Sequence, residues 1–129
     1  MSAVVNAAKP DLYALASSDS TSASLIVSNY NCVFDSANAN CSDQTKIETV
    51  TAAFKNLPFG GPVTADRYVI DSQTSDLNYW VAAGQTPPSV QATQLQKVES
   101  ISVTSTGGTL TLPARQLGKS AVSMWILHQ

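Results

Sequence analysis

Apolar and polar residues alternate with a period of two along most of this chain. In DLYALASSDSTSASLIVSNYN, Leu12, Ala14 and Ala16 alternate, the polar SSDSTS intervenes, and Ala23, Leu25 and Val27 alternate again. Successive strand side chains point to opposite faces, so two such runs about a short Ser-rich turn predict a β-hairpin. Ile47, Thr49, Thr51 and Ala53 fit another strand, which Asn56-Leu57-Pro58 stops and Phe59-Gly60-Gly61-Pro62 turns. In VTADRYVID, Val63, Ala65, Arg67, Val69 and Asp71 face one side and Thr64, Asp66, Tyr68 and Ile70 the other. Ile101 and Val103 precede a Thr106-Gly107-Gly108 turn, and Leu110 and Leu112 follow it. The closing SAVSMWILHQ sets Ala121, Ser123, Trp125 and Leu127 against Val122, Met124 and Ile126. Apolar residues on both faces predict a central, buried strand with Trp125 in the core.

Helical spacing is confined to one region, SDLNYWVAAG followed by TPPSVQATQLQKV. Thr74 or Ser75 suits the N-cap, and Leu77, Trp80 and Val81 recur at i, i+3, i+4. Gly84 fits a left-handed stop, and Pro87 and Pro88 fit the first turn of a second short helix. Residues 1–10 read as a flexible lead-in. The expected architecture is therefore all-β, an antiparallel β-sandwich of about eight strands with one or two short helices, forming a single domain over 11–129.

Composition narrows the setting. With 129 residues, 43% of them hydrophobic, the chain is sized for one domain with a real core. Only 12% are charged, about half the usual share, so Ser, Thr, Asn and Gln must supply much of the surface. That balance suits a secreted β-protein. The net charge is −2 and no Lys/Arg block stands out, so nothing supplies the phosphate-neutralising face that a nucleic-acid partner requires. No apolar run approaches the roughly 20 residues of a membrane helix. The N-terminal MSAVVNAAKPDLYALASS is too polar for an intact signal peptide, so the expectation is a mature segment of a secreted protein.

The cysteines bear on that expectation. Cys32 and Cys41 lie in NCVFDSANANCS, separated by turn-forming Asp, Ser and Asn residues. A disulfide would close a small loop and add about 2.5–3 kcal/mol in the chain-entropy account. The alternative is a pair of reduced, inert thiols. Asn40-Cys41-Ser42 is also an N-glycosylation triplet, with Asn40 as the acceptor. A metal site or a Cys nucleophile would need further ligands or a His partner, and the one histidine, His128, is far away in sequence.

Candidate chemistry concentrates in RYVIDSQTSDLNYW, residues 67–80. Asp71 lies four residues beyond Arg67 on the same strand face, about 13 Å away in an extended strand, too far for a simple pair. Either the chain bends, or Arg67 pairs across strands and Asp71 serves a turn. Tyr79 points away from the Leu77–Trp80–Val81 face and is the better exposed ring for stacking on a sugar. Tyr68, Asp71, Gln73 and Asn78 complete the candidate carbohydrate-binding set. No G-x-S-x-G elbow accompanies His128, and neither Gly60-Gly61 nor Gly107-Gly108 opens a helix as a phosphate cradle must, so no catalytic triad, metal or cofactor site is expected.

Residues 67–90, RYVIDSQTSDLNYWVAAGQTPPSV, resemble a segment of the C-terminal β-sandwich of glycoside hydrolase family 39 β-xylosidases, where an R-Y-x-I-D strand leads through a turn to a short helix and a Pro-rich stretch. LYALASSDSTSASLIVSNYN, FKNLPFGGPVTADRY and LTLPARQLGKSAVSMWIL resemble neighbouring strands of that sandwich, extending the likeness to about residues 11–127. The resemblance implies that catalysis belongs to two glutamates on a (β/α)8 barrel, for which 129 residues are too few. Glu48 and Glu99 lie in no barrel motif, so no catalytic residue carries over. The Cys32–Cys41 loop departs from bacterial members and points to a secreted, fungal-type relative. The expected function is a non-catalytic accessory sandwich of a secreted glycosidase-like protein, with a polysaccharide or oligosaccharide as candidate ligand. The alternatives are a structural domain that docks on and stabilises a catalytic barrel, and a small free-standing glycoside-active enzyme.

Overall fold

Two antiparallel sheets face each other across a shared apolar core. The structure, a computed structural model, describes residues 1–6, 12–29, 33–34, 39–40, 47–71, 74, 84, 95–118 and 121–129. The strands among them are β1 (Ser2–Asn6), β2 (Tyr13–Ser18), β3 (Ser22–Asn29), β4 (Val33–Phe34), β5 (Ala39–Asn40), β6 (Glu48–Lys55), β7 (Gly61–Ile70), β8 (Gln96–Ser105), β9 (Leu110–Thr111), β10 (Arg115–Leu117) and β11 (Ala121–His128). One sheet has the order β2-β3-β11-β7-β8. In the other, β6 pairs with β1 along one edge and with β9 and β10 along the other. The short β4 and β5 pair with each other.

The expected alternation builds this core. Leu25 and Val27 of β3, Val63 and Ala65 of β7, and Trp125 and Leu127 of β11 face inward from the five-stranded sheet, and Ala52 and Phe54 of β6 meet them from the other. Phe54 is wholly buried and Trp125 is 5% exposed. β11 is central, between β3 and β7, as its two apolar faces predict. The β2–β3 hairpin forms where expected. Its Ser-rich turn is held by Asp19, whose carboxylate accepts the backbone N–H groups of Thr21 and Ser22 at 2.8 and 2.7 Å.

Two expectations change. The lead-in assigned to residues 1–10 contains β1, which pairs in register with β6 from Ser2↔Lys55 to Asn6↔Thr51. Ala3 and Val5 pack against the core, but two inward residues are too short a pattern to announce a strand without its partner. Gln96, Lys97 and Val98, assigned to the second helical stretch, begin β8 instead, because pairing with β7 outweighs local helix spacing. Of the remainder of the two expected helices only Thr74, Gly84 and Leu95 are among the described residues, and Gly84's φ of 77° matches the left-handed stop. No described residue is helical.

Crossings between the sheets depend on backbone chemistry. Asn56 takes φ 57° at the end of β6, a conformation that Asn tolerates better than most residues. Gly107 and Gly108, at φ 58° and 72°, turn the chain between the bridged Thr106 and Thr109, the paired positive φ of a tight primed turn. The Gly108 carbonyl accepts the Leu57 N–H at 2.9 Å, and a Cβ on Gly108 would lie 3.1 Å from the Leu57 carbonyl oxygen. Gly108→Ala is expected to cost about 1–2 kcal/mol from the left-handed backbone alone, read as a lower urea midpoint; Gly107→Ala, with open space around its Cβ, separates backbone strain from this contact. Leu112 extends the β6 ladder by donating to Ala52 O at 2.8 Å. Pro113 has no N–H to continue it, so pairing resumes only at Arg115.

Candidate functional site

The outer face of the five-stranded sheet is unexpectedly apolar. Even-numbered residues of β3, β7 and β11 and odd-numbered residues of β2 share it through the pairing register. One cross-strand row runs Leu15–Ile26–Met124–Tyr68, and a second runs Tyr13–Ser28–Val122–Ile70. Leu15 is 71% exposed, Tyr13 68% and Ile26 39%, while Tyr68, Met124 and Val122 are half-buried. Large side chains open to water at adjacent positions in this way form an apolar patch.

A polar cluster lies beside it on β7 and β8, and a bulge creates it. Arg67 pairs with Glu99, but Tyr68 pairs with Lys97, so one extra residue sits in β8. Strict alternation would put Lys97 and Glu99 on the same face; the bulge brings Lys97 to Asp66, with Nζ donating to Oδ2 at 3.1 Å. Ser100 Oγ donates to Asp66 Oδ1 at 2.6 Å, and His128 Nε2 lies 3.4 Å from Oδ2. The Ser100 hydroxyl first, and then Lys97, hold the Asp66 carboxyl at about 2, below its ordinary 3.8. A depressed folded-state pKa gives a contribution that is complete above the unfolded value and is lost as pH falls through the folded one. Asp66→Asn should therefore flatten the loss of stability between about pH 4 and pH 2, measured by circular dichroism during urea unfolding at stepped pH. Asp19, also held at about 2 by its turn hydrogen bonds, keeps its share of that slope in the variant.

The inner face carries a separate ion cluster. Arg67 points inward, its Nε donating to Ser123 Oγ at 3.0 Å and Nη2 to Gln116 O at 3.2 Å. Its guanidinium carbon lies 5.9 Å from the Trp125 ring centroid, within cation–π reach. Glu99 stands between two arginines: Arg115 grips both its oxygens through Nε and Nη2, and Arg67 Nη1 is 4.0 Å away. Hydrogen bonding from Arg115 holds the Glu99 carboxyl below its usual range, against the effect of burial. Burial pulls the Arg67 guanidinium down while Glu99 pulls it up. The cavity beside this cluster, lined by Trp125, Arg67, Pro113 and Leu117 among others, has a volume of about 10 Å³. That is room for roughly one water and far from a sugar ring.

Of the residues singled out in the sequence, Tyr68 lies half-buried on the outer face between Met124 and Lys97. Asp71 closes a turn, exchanging two backbone hydrogen bonds with Thr74 at 2.9 and 3.0 Å, and its charge also acts on Arg67. Arg67 makes its ion pair across strands, the second of the two options left open by the strand spacing. Tyr79, Asn78, Gln73, Cys32 and Cys41 lie outside the described residues. Asn40 pairs with Val33 in the β4–β5 ladder. Glu48 is buried at the start of β6, and Glu99 is held by Arg115 and Arg67. Tyr13, Leu15 and Ile26 were not singled out. The signal was available in Tyr13 and Leu15, both apolar at the parity opposite to Leu12, Ala14 and Ala16. Among the described residues, no group of three His, Cys, Asp or Glu could hold a metal ion.

No protein-family model and no curated protein sequence matches the chain. Solved structures do match. A GH39 enzyme from Xanthomonas axonopodis pv. citri superposes with a TM-score of 0.64 at 16% identity, over 90% of this chain and 26% of its own. A glucosidase from Croceicoccus marinus superposes with a TM-score of 0.51 at 14% identity, again over 90% and 26%. The chain thus has the fold of a sandwich found within these enzymes and spans about a quarter of their length.

Proposed function

We propose that this chain is a non-catalytic accessory β-sandwich of a glycosidase-like protein, and that the outer face of its five-stranded sheet docks on a catalytic barrel. The observation that carries the docking is the exposed apolar row of Leu15 and Ile26, extended by Met124 and Tyr68. The barrel is favoured as occupant because two matching enzymes devote only 26% of their length to this sandwich. Burying such a row is favourable at about 25 cal/mol per Å² of apolar surface. The test has two stages. The reading frame upstream of residue 1 should encode a barrel. In the full-length protein, Leu15→Asp combined with Ile26→Asp should split one calorimetric transition into two. A frame without a barrel, or a single transition that survives both aspartates, overturns the docking.

Carbohydrate binding is the second reading, favoured by the exposed Tyr13 ring and by Tyr68 beside the Asp66–Lys97–Ser100 cluster on the same face. An exposed aromatic face stacks on a sugar ring while polar neighbours bond its hydroxyls. Calorimetric titration with xylan, β-glucan and mannan fragments tests it, Tyr13→Ala being expected to abolish the heat; no binding at millimolar ligand removes this reading. Secretion is supported by the two cysteines. The residues next to them in sequence, Val33 and Asn40, are directly paired. A Cys32–Cys41 disulfide should leave the unreduced chain unlabelled by iodoacetamide in mass spectrometry, and two labels would refute it.

A further inference from the structure

The two edges of the five-stranded sheet are built differently. The β8 edge carries Lys97 and Glu99 and is interrupted by the bulge opposite Arg67 and Tyr68. Charges and bulges are the devices by which a sheet discourages another strand from adding to its edge. The β2 edge has none of them. Its sequence, Tyr-Ala-Leu-Ala-Ser-Ser, contains no charge and no proline, and its register with β3 runs unbroken from Tyr13↔Ser28 to Ser18↔Ala23. No described strand pairs along its other side. Five of its six residues are exposed, Leu15 and Tyr13 among them.

We propose that β2 is the seam of a homodimer, in which β2 strands of two copies pair antiparallel about a two-fold axis through Leu15. The five-stranded sheets then join into one continuous sheet. An unprotected strand edge is its own complement under a two-fold rotation, and the contact closes at two copies without propagating. Uncharged β2 strands meet without the repulsion that charged edges would impose. The pleat requires the axis to pass through a residue, so that every odd-numbered residue stays on the outer face in both copies, and an axis through Leu15 brings the two most exposed leucines together. Leu15 meets the partner's Leu15, Tyr13 lies across from the partner's Ser17, and Ala14 meets the partner's Ala16. The leucine contact covers the most exposed large hydrophobic residue described. The small alanines on the inner side give the second layers of the two sandwiches room to approach. Pairing is in the plane of the sheet, so Ile26, Met124 and Tyr68 stay open on the outer face, and Leu15 is the one residue shared with the docking proposed above.

Sedimentation velocity of the full 129-residue chain, from micromolar to millimolar concentration, tests the seam. The wild-type chain is expected to sediment as a dimer that dissociates on dilution. Leu15→Lys places like charges across the axis and should halve the sedimenting mass. An equimolar mixture of Leu15→Lys and Leu15→Glu should restore the dimer through the opposite-charge pair. Far-ultraviolet circular dichroism and the thermal midpoint verify that each variant is folded, and Ser17→Lys, on the same exposed strand, replaces Leu15→Lys if that variant is not. A wild-type chain that stays monomeric at the highest concentration overturns the proposal. So does a dimer that survives a folded lysine variant, or a mixture that stays monomeric.

Discussion

Phe54→Ala is expected to destabilise the fold by about 3–5 kcal/mol, the usual cost of emptying a fully buried aromatic site. Phe54 is wholly shielded from water and sits on β6, the strand that joins β1 to β9 and β10. Truncation removes apolar burial and leaves a cavity that the rigid ladder on each side cannot close, because Ser2–Asn6 and Leu110–Thr111 are locked in register with β6. Guanidinium unfolding followed by Trp fluorescence measures the loss. Phe54→Leu keeps most of the volume and should cost well under half as much. Equal costs for the two variants would mean that the site collapses around a cavity, contrary to the packing described.

Glu99→Ala is the second large effect. Glu99 lies between Arg67 and Arg115 on the inner face, its side chain 18% exposed. Removing it leaves two guanidinium groups facing each other, and Arg67 is mostly sheltered from water against Trp125. Breaking a buried pair costs about 3–5 kcal/mol. Partial exposure here, with Arg115 able to turn toward solvent, lowers the expectation to about 2–3 kcal/mol. Replacing the pair together, Arg67→Met with Glu99→Leu, should recover most of that loss, since apolar residues of similar volume avoid the desolvation that the charges require. Urea midpoints of the single and double variants decide between the two roles. If the double variant is as unstable as Glu99→Ala, the cluster contributes net stability through its hydrogen bonds to Ser123 and Gln116. If it recovers, the cluster chiefly specifies how β7, β8 and β10 come together.

How far each feature was legible followed from the range of the interaction behind it. The β2–β3 hairpin, the inward faces of β7 and β11 and the Gly107-Gly108 turn are local. Each is written in alternation or in a residue that suits positive φ, and each is found where the pattern predicts. The acid tail of the stability profile is partly legible as well, because Asp19 holds its own turn through neighbours two and three residues away. The candidate site was less so. The run 67–80 drew attention by its density of polar and aromatic residues, yet the structure separates its members: Arg67 faces inward, Tyr68 outward, and Asp71 closes a turn. The exposed face came instead from Tyr13 and Leu15, two unremarkable residues in a predicted hairpin.

The sequence by itself determined that this protein is an all-β sandwich, which residues of its principal strands share a face, and that Trp125 and Leu127 are core. Those properties depend on period and on residue type, both of which are one-dimensional. Only the tertiary structure decided which strands became neighbours. It made residues 2–6 a strand by supplying β6, put Lys97 beside Asp66 and Glu99 beside Arg67 by inserting one residue into β8, and left β2 at the end of the sheet formed by the described strands. Pairing partners, bulges and edges are relations between segments far apart in the chain, and no local pattern of hydrophobic and polar residues encodes them.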